Sequence, residues 1–193
     1  MKMLITLLIA GVFTGNIITT NLLGLEALEK GKEKSLLSQL KSGLIITSLL
    51  FVTVLITYPI GKWVISPLDI GFLTALVFLL VVCGILFGVY FAAEKYLPKI
   101  SKFLKENCDI VAFVPIAFAV SLMSMAEEAV TAYHIALLYA VICGVGYTFV
   151  SLILFTVNER LKTAELPASV KGLPTTLIML SLLSLAFGGF AGI

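Results

Sequence analysis

Apolar residues in this chain come in long unbroken runs, and the charges fall between the runs instead of alternating with them. The first uncharged run, Met3–Leu25, spans 23 residues and ends at Glu26. Cutting the chain at its charges gives five more: Ser42–Gly61, Ile70–Ala93, Ile110–Ala126, a span within Ala129–Asn158, and Gly172–Ile193. About 20 apolar residues in a helix cross the ~30 Å hydrocarbon core of a bilayer, so the pattern predicts six transmembrane helices. The fourth is short, at 17 residues, and contains Pro115. The fifth run has 30 residues, more than a bilayer needs, which predicts a helix beginning near Tyr133.

Composition supports the same class. Hydrophobic residues make up 60% of the chain and charged ones only 12%, with a mean hydropathy of +1.14. A soluble domain of this size has no interior large enough for that apolar surface, so the chain reads as an all-α integral membrane protein, one membrane domain over 1–193. The net charge of +2 gives no reason to expect a nucleic-acid partner. The first run is too long for a signal-peptide core and no small-residue cleavage site follows it, so it reads as a retained span. Cys83, Cys108 and Cys143 form no CxxC pair and no cluster with histidine, which argues against a disulfide framework or a zinc site. No nucleotide-binding loop, metalloprotease helix or catalytic triad pattern is present, so no catalytic residue is assigned.

Basic residues set the orientation. Lys30, Lys32, Lys34 and Lys41 fall in one connection, Lys95, Lys99, Lys102 and Lys105 in another, and Arg160, Lys162 and Lys171 in a third. These three connections share one side and hold 11 of the 13 basic residues, which predicts that they are cytoplasmic and that both termini face outward. Three helices per half would make the second half inverted relative to the first: a 3+3 inverted repeat, about 1–98 and about 99–193. The Gly/Ser/Thr-rich spans SGLIITSLLFVTVLITYPIG and AVICGVGYTFVSLILFTVN occupy corresponding places in the two halves. Such repeats place broken helices at a central site, where freed backbone groups line a cavity or cofactor.

The segment NERLKTAELPASVKGLPTTLIMLSLLSLAFGGFAGI, 158–193, resembles the RnfA/NqrE family. These are membrane subunits of Rnf complexes, which couple ferredoxin and NAD oxidation–reduction to ion transport, and of sodium-pumping quinone reductases. The features that carry the resemblance are Glu159-Arg160-Leu161, the turn Glu165–Pro167, Gly172, and Ser184-Leu185-Ala186-Phe187 with Gly189-Phe190 and Gly192. Tyr139 with Gly146, Asn21–Leu25, and Phe113-Val114-Pro115 extend it over nearly the whole chain. The resemblance implies interrupted helices 1 and 4, pairing with a homologous RnfE/NqrD-like subunit, and flavins and iron–sulfur centres on other subunits. It places the chain in the prokaryotic cytoplasmic (inner) membrane.

The family also implies an iron–sulfur cluster between the paired subunits, held by cysteines of a Leu-Gly-Leu-Cys and an Asn-Cys motif; thiolates are soft anionic ligands suited to iron. Here Leu23-Gly24-Leu25 is followed by Glu26. The second position falls on Ser121 when anchored at Pro115, or on Ala117 when anchored at the C-terminal motif. Asn107-Cys108 spells the second motif but requires roughly nine inserted residues. No sulfur ligand results from either anchoring, so the usual complete ligand set is not expected.

Candidate ion-path residues are Asn16, Asn21, Glu26, Glu127 and Glu128. Glu26 is either a carboxylate at the cytoplasmic edge near Lys30 or a group at a helix break that binds an ion or proton. Glu127 and Glu128 are either a solvated outer turn or neighbouring carboxylates able to share a proton or bind a cation. Asn16, Thr19, Thr20 and Asn21 can satisfy backbone groups at a break, bind an ion, or pack between helices. His134 is expected at the outer interface with a titrating role open. Trp63 with Tyr58 reads as an interfacial anchor, and Cys83 and Cys143 as small core residues. Gly84/Gly88, Gly144/Gly146 and Gly188/Gly189/Gly192 are expected to permit close helix approach. The resulting expectation is a subunit of an ion-translocating electron-transport complex. Its rival is a standalone inverted-repeat carrier of a small solute or ion, and a purely structural adaptor is the third reading.

Overall fold

Inside a bilayer no water is available to backbone N–H and C=O groups, so each apolar run must bond within itself, and helices are the result. The computed structural model describes residues 2–21, 36–60, 63, 74–96, 133–163, 167 and 171–189. Among these there are helices and turns and no strand. Helix α1 is Lys2–Ile9, a π-helical turn follows at Ala10–Thr14, and α2 is Ile17–Asn21. Then come α3, Leu36–Ile60, α4, Thr74–Tyr96, α5, Tyr133–Lys162, and α6, Leu173–Gly188.

Five of the six predicted spans therefore carry helix, and Tyr133, near which α5 was expected to begin, lies within it. The fourth span, Ile110–Ala126, lies outside the described residues. Among the described residues, Gln39–Ile60 and Tyr133–Leu161 are long and apolar enough to cross a membrane. Helix α6 begins after Gly172, whose φ of 86° is a left-handed conformation that suits glycine, and Pro174 sits in its first turn, where a missing N–H costs nothing.

The chain packs as two compact units: residues 1–47 with 141–193, and residues 48–140. In the first unit α3 and α5 cross through a reciprocal contact. A Cβ placed on Gly43 would overlap the Thr148 side chain, and one on Gly144 would lie 2.6 Å from Thr47 Cγ2. Gly43 thus receives Thr148 while Gly144 receives Thr47, so the pairing runs antiparallel and each helix supplies the same glycine-x-x-x-threonine element. The hydroxyls do not bridge the helices. Thr47 Oγ1 donates to Gly43 O at 2.8 Å and Thr148 Oγ1 to Gly144 O at 2.9 Å, each back into its own helix.

In the second unit Leu49 and Ala93 are buried, with Leu86, Val89 and Tyr90 packed against them. Thr53 and Thr57 are wholly buried and donate to Leu49 O at 2.8 Å and Thr53 O at 2.7 Å. Large apolar side chains on α4 point outward instead: Leu79, Leu80, Phe87 and Phe91 are exposed. Buried threonine with outward leucine and phenylalanine reverses the soluble arrangement and fits a lipid-facing surface. Gly84 and Gly88 are exposed too, and a Cβ on either meets nothing within 4 Å. The expected close approach at these two glycines is absent among the described residues, because they face away from the packed side of α4. Cys83 is likewise exposed and not in the core, whereas Cys143 is buried.

Pro59 lies inside α3 and has no N–H to give to the carbonyl four residues earlier, that of Leu55. The Tyr133 hydroxyl donates to this Leu55 O at 3.1 Å, and its ring lies 5.4 Å from that of Tyr58. Tyr133 thus supplies the bond that proline withholds. Tyr133→Phe is expected to cost about 1 kcal/mol of unfolding stability in detergent. In a Pro59→Ala background, where the N–H returns, the same change should cost close to nothing. Equal losses in both backgrounds would show that the hydroxyl has no such role.

Candidate functional site

The sequence KMLITLLIAGVFTGNIITTN has no proline, so any interruption of its helix must come from glycine, from polar side chains or from tertiary packing. The structure has one. Gly15 N–H donates to Ala10 O at 2.6 Å, a bond spanning five residues where an α-helix spans four. The extra residue makes the π-helical turn Ala10–Thr14, and regular bonding fails at Gly15 and Asn16 before α2 begins. The Thr14 hydroxyl reaches back to Ala10 O at 3.5 Å.

Asn16 occupies the break and is wholly buried. Its Nδ2 donates to Val12 O at 2.9 Å, on the π side. Its Oδ1 accepts the Ile18 N–H at 3.0 Å, the bond an N-cap asparagine makes at the start of a helix. Its main-chain oxygen accepts from Thr20 N–H at 3.0 Å, from Thr20 Oγ1 at 2.8 Å and from Thr19 Oγ1 at 3.2 Å. Of the polar groups singled out in the first span, Asn16, Thr19 and Thr20 therefore bond to the backbone around the break.

Two neighbours enclose this turn. On α5, Gly146 presents bare backbone: a Cβ there would lie 2.8 Å from Gly11 O, 2.9 Å from Val12 Cα and 3.0 Å from Asn16 Nδ2. No side chain fits, and this is the close approach expected of Gly146. From α6, Phe187 sits edge-on to Phe13 with ring centroids 5.1 Å apart, and Phe149 on α5 lies 6.4 Å from the same ring. In the sequence Ser184–Phe187 stands out only as a matching motif. That Phe187 packs on the π turn carries no local signal, since the two are far apart in the chain.

Asn21 lies in α2. Glu26, Cys108, Ala117, Ser121, Glu127 and Glu128 lie outside the described residues. His134 is exposed on α5 beside Tyr133, and Trp63 is exposed as an interfacial residue would be. Among the described residues no group of three histidine, cysteine or acidic side chains is placed to hold a metal ion.

Among the described residues, long apolar helices with exposed leucine and phenylalanine, and a broken first helix pinned by asparagine and packed on glycine, fit a polytopic membrane protein. Comparison with known families makes this specific: the family described as Rnf-Nqr subunit, membrane protein, matches residues 4–193, and the chain belongs to it. The chain is 28% identical over 187 residues to the A-type component of the ion-translocating oxidoreductase complex of Aromatoleum aromaticum, covering 97% of this chain and 95% of that one. It is 26% identical to the A-type component of the proton-translocating ferredoxin:NAD(+) oxidoreductase complex of Clostridium ljungdahlii, over 97% and 96% of the two chains. The corresponding component of the Na(+)-translocating ferredoxin:NAD(+) oxidoreductase complex of Acetobacterium woodii is 24% identical, over 98% and 97%.

Proposed function

We propose that this chain is a membrane subunit of an Rnf/Nqr-like complex that couples electron transfer to translocation of Na⁺ or H⁺. The observation that carries the reading is the end-to-end match to the A-type components of such complexes, 97% of this chain against 95% of its relative in Aromatoleum aromaticum. In this reading the chain is itself non-catalytic, sits in the cytoplasmic membrane of a prokaryotic cell with both termini outside, and pairs with a homologous RnfE/NqrD-like subunit. Flavins and iron–sulfur centres belong to partner subunits.

The reciprocal Gly43–Thr148 and Gly144–Thr47 contact supports the 3+3 inverted repeat, about 1–98 and about 99–193. Two helices related by a two-fold axis in the membrane plane meet through identical elements in opposite senses, as these do. Helix 1 is interrupted as the repeat requires, and helix 4 is proposed to be.

The donor set does not fit an iron–sulfur cluster held by this chain. The aligned ligand positions carry Glu26 and Ser121 or Ala117, none with sulfur, and a cluster needs several thiolates. No electron-transfer step through such a centre is therefore assigned to these residues. Asn16, Asn21, Glu26, Glu127 and Glu128 are the candidates for the ion route.

The test is purification of the complex through a tag on this chain, followed by analysis of its subunits, iron and sulfide. Flavin- and ferredoxin-like subunits are expected to copurify, and ion uptake into proteoliposomes is expected to need them. Ion or solute uptake by this chain alone would favour the standalone carrier. A stoichiometric cluster lost on Glu26→Ala or Ser121→Ala would refute the reading of the ligand positions.

A further inference from the structure

Polar residues inside a membrane helix serve either a passing ligand or their own backbone, and the bonding around Asn16 separates these roles. Asparagine has two amide protons and two carbonyl lone pairs. One of each is committed here: Nδ2 to Val12 O before the break and Oδ1 to the Ile18 N–H after it. A single side chain thus joins the segments on either side of the break. That side chain is wholly buried, and Gly146 closes over its Nδ2 with no space for a Cβ.

The geometry points to Asn16 as a positioning residue for ion translocation and not as an ion ligand: it fixes how the half-helix Ile17–Asn21 departs from the π turn, with Gly146 as the wall against which it is held. The inference rests on the ion-translocating reading above and deepens it. Asn16 leaves the set of groups that would touch the ion and becomes a support for those that do. Asn21 belongs to the segment it aligns, five residues before Glu26 in the sequence.

The test uses the complete complex carrying Asn16→Ala, Asn16→Ser or Gly146→Ala. Serine keeps a short side-chain oxygen able to accept the Ile18 N–H; alanine has none. Amide hydrogen exchange over residues 17–21 and turnover against ion concentration are measured on each. Asn16→Ala is expected to speed exchange about five- to tenfold, the equivalent of losing one cap, and Asn16→Ser to stay near the parent. Gly146→Ala should speed exchange in the same segment. Turnover should fall in Asn16→Ala and Gly146→Ala, while the ion concentration giving half-maximal rate stays within about twofold.

A tenfold or larger rise in that concentration for Asn16→Ala, with exchange unchanged, would overturn the proposal. If Asn16→Ala does not assemble, Asn16→Ser and Gly146→Ala decide. Positioning requires an unchanged ion requirement in both, whereas a ligand role raises it in Asn16→Ser alone. The exchange readout needs no transport. A parent complex that moves no ions would thus sink the functional reading, and the Asn16 bonding would still be judged by exchange.

Discussion

Gly146→Leu is expected to prevent the first helix from docking and to cost at least about 3 kcal/mol, enough to abolish accumulation of the assembled protein. The reason is the identity of what the new side chain meets. Its first atom would already lie 2.8 Å from the Gly11 carbonyl oxygen and 2.9 Å from Val12 Cα, both of them backbone. Backbone cannot rotate aside as a flexible side chain does, so either α5 or the π turn must move. Gly146→Ala should cost about 1–3 kcal/mol by the same argument, and it is the more useful variant where a folded complex is needed. Denaturation in detergent, following helix content, measures both. Accumulation and unfolding of Gly146→Leu equal to the parent would disprove the contact.

The second large effect is expected at the crossing of α3 and α5. Gly43→Ala and Gly144→Ala should each destabilise by about 2 kcal/mol, since each Cβ would collide with a threonine of the opposite helix. The nearest atoms are Cγ2 and Oγ1, which Thr→Ala removes, while the threonine Cβ at 2.8 Å remains, so a partial and specific rescue follows. Thr148→Ala should recover part of the loss caused by Gly43→Ala, and Thr47→Ala part of that caused by Gly144→Ala. The crossed combinations, Gly43→Ala with Thr47→Ala and Gly144→Ala with Thr148→Ala, should recover nothing. Coupling in a double-mutant cycle is the discriminating quantity, about 1 kcal/mol or more for the matched pairs. Additive losses in the matched pairs would mean that the helices cross elsewhere.

The sequence was informative wherever solvent chemistry dictates structure. Uncharged runs located α3, α4, α5 and α6, although α3 begins before Lys41 and α5 continues through Glu159 and Arg160, because a helix goes on bonding within itself where it leaves the lipid. The π turn left no trace in the pattern. It differs from α-helix by one inserted residue, and Ala10–Thr14 contains neither a proline nor a charge to mark it. Polar residues on the first span were conspicuous, yet an asparagine that caps a half-helix and one that binds an ion look identical until its hydrogen bonds are known. Glycine spacing proved ambiguous for a similar reason. Gly84 and Gly88 have the four-residue interval of a tight crossing, but a crossing also needs a partner on that face, and spacing does not supply one. Gly144 was expected to permit a close approach and does, whereas Gly43 was only one small residue of a Gly/Ser/Thr-rich span, and neither threonine partner was indicated because it lies about a hundred positions away in the sequence.

The threonines at 47, 53, 57 and 148 send their hydroxyls to carbonyls of their own helices. At these four positions the contribution to cohesion between helices is thus steric, in contrast to Tyr133, whose hydroxyl reaches from α5 to a carbonyl of α3. Such a protein should accept valine, nearly the same shape, at the buried positions 53 and 57. It should reject alanine, which keeps the surface apolar but leaves a void, so the tolerance of these sites would be ranked by volume and scarcely by polarity.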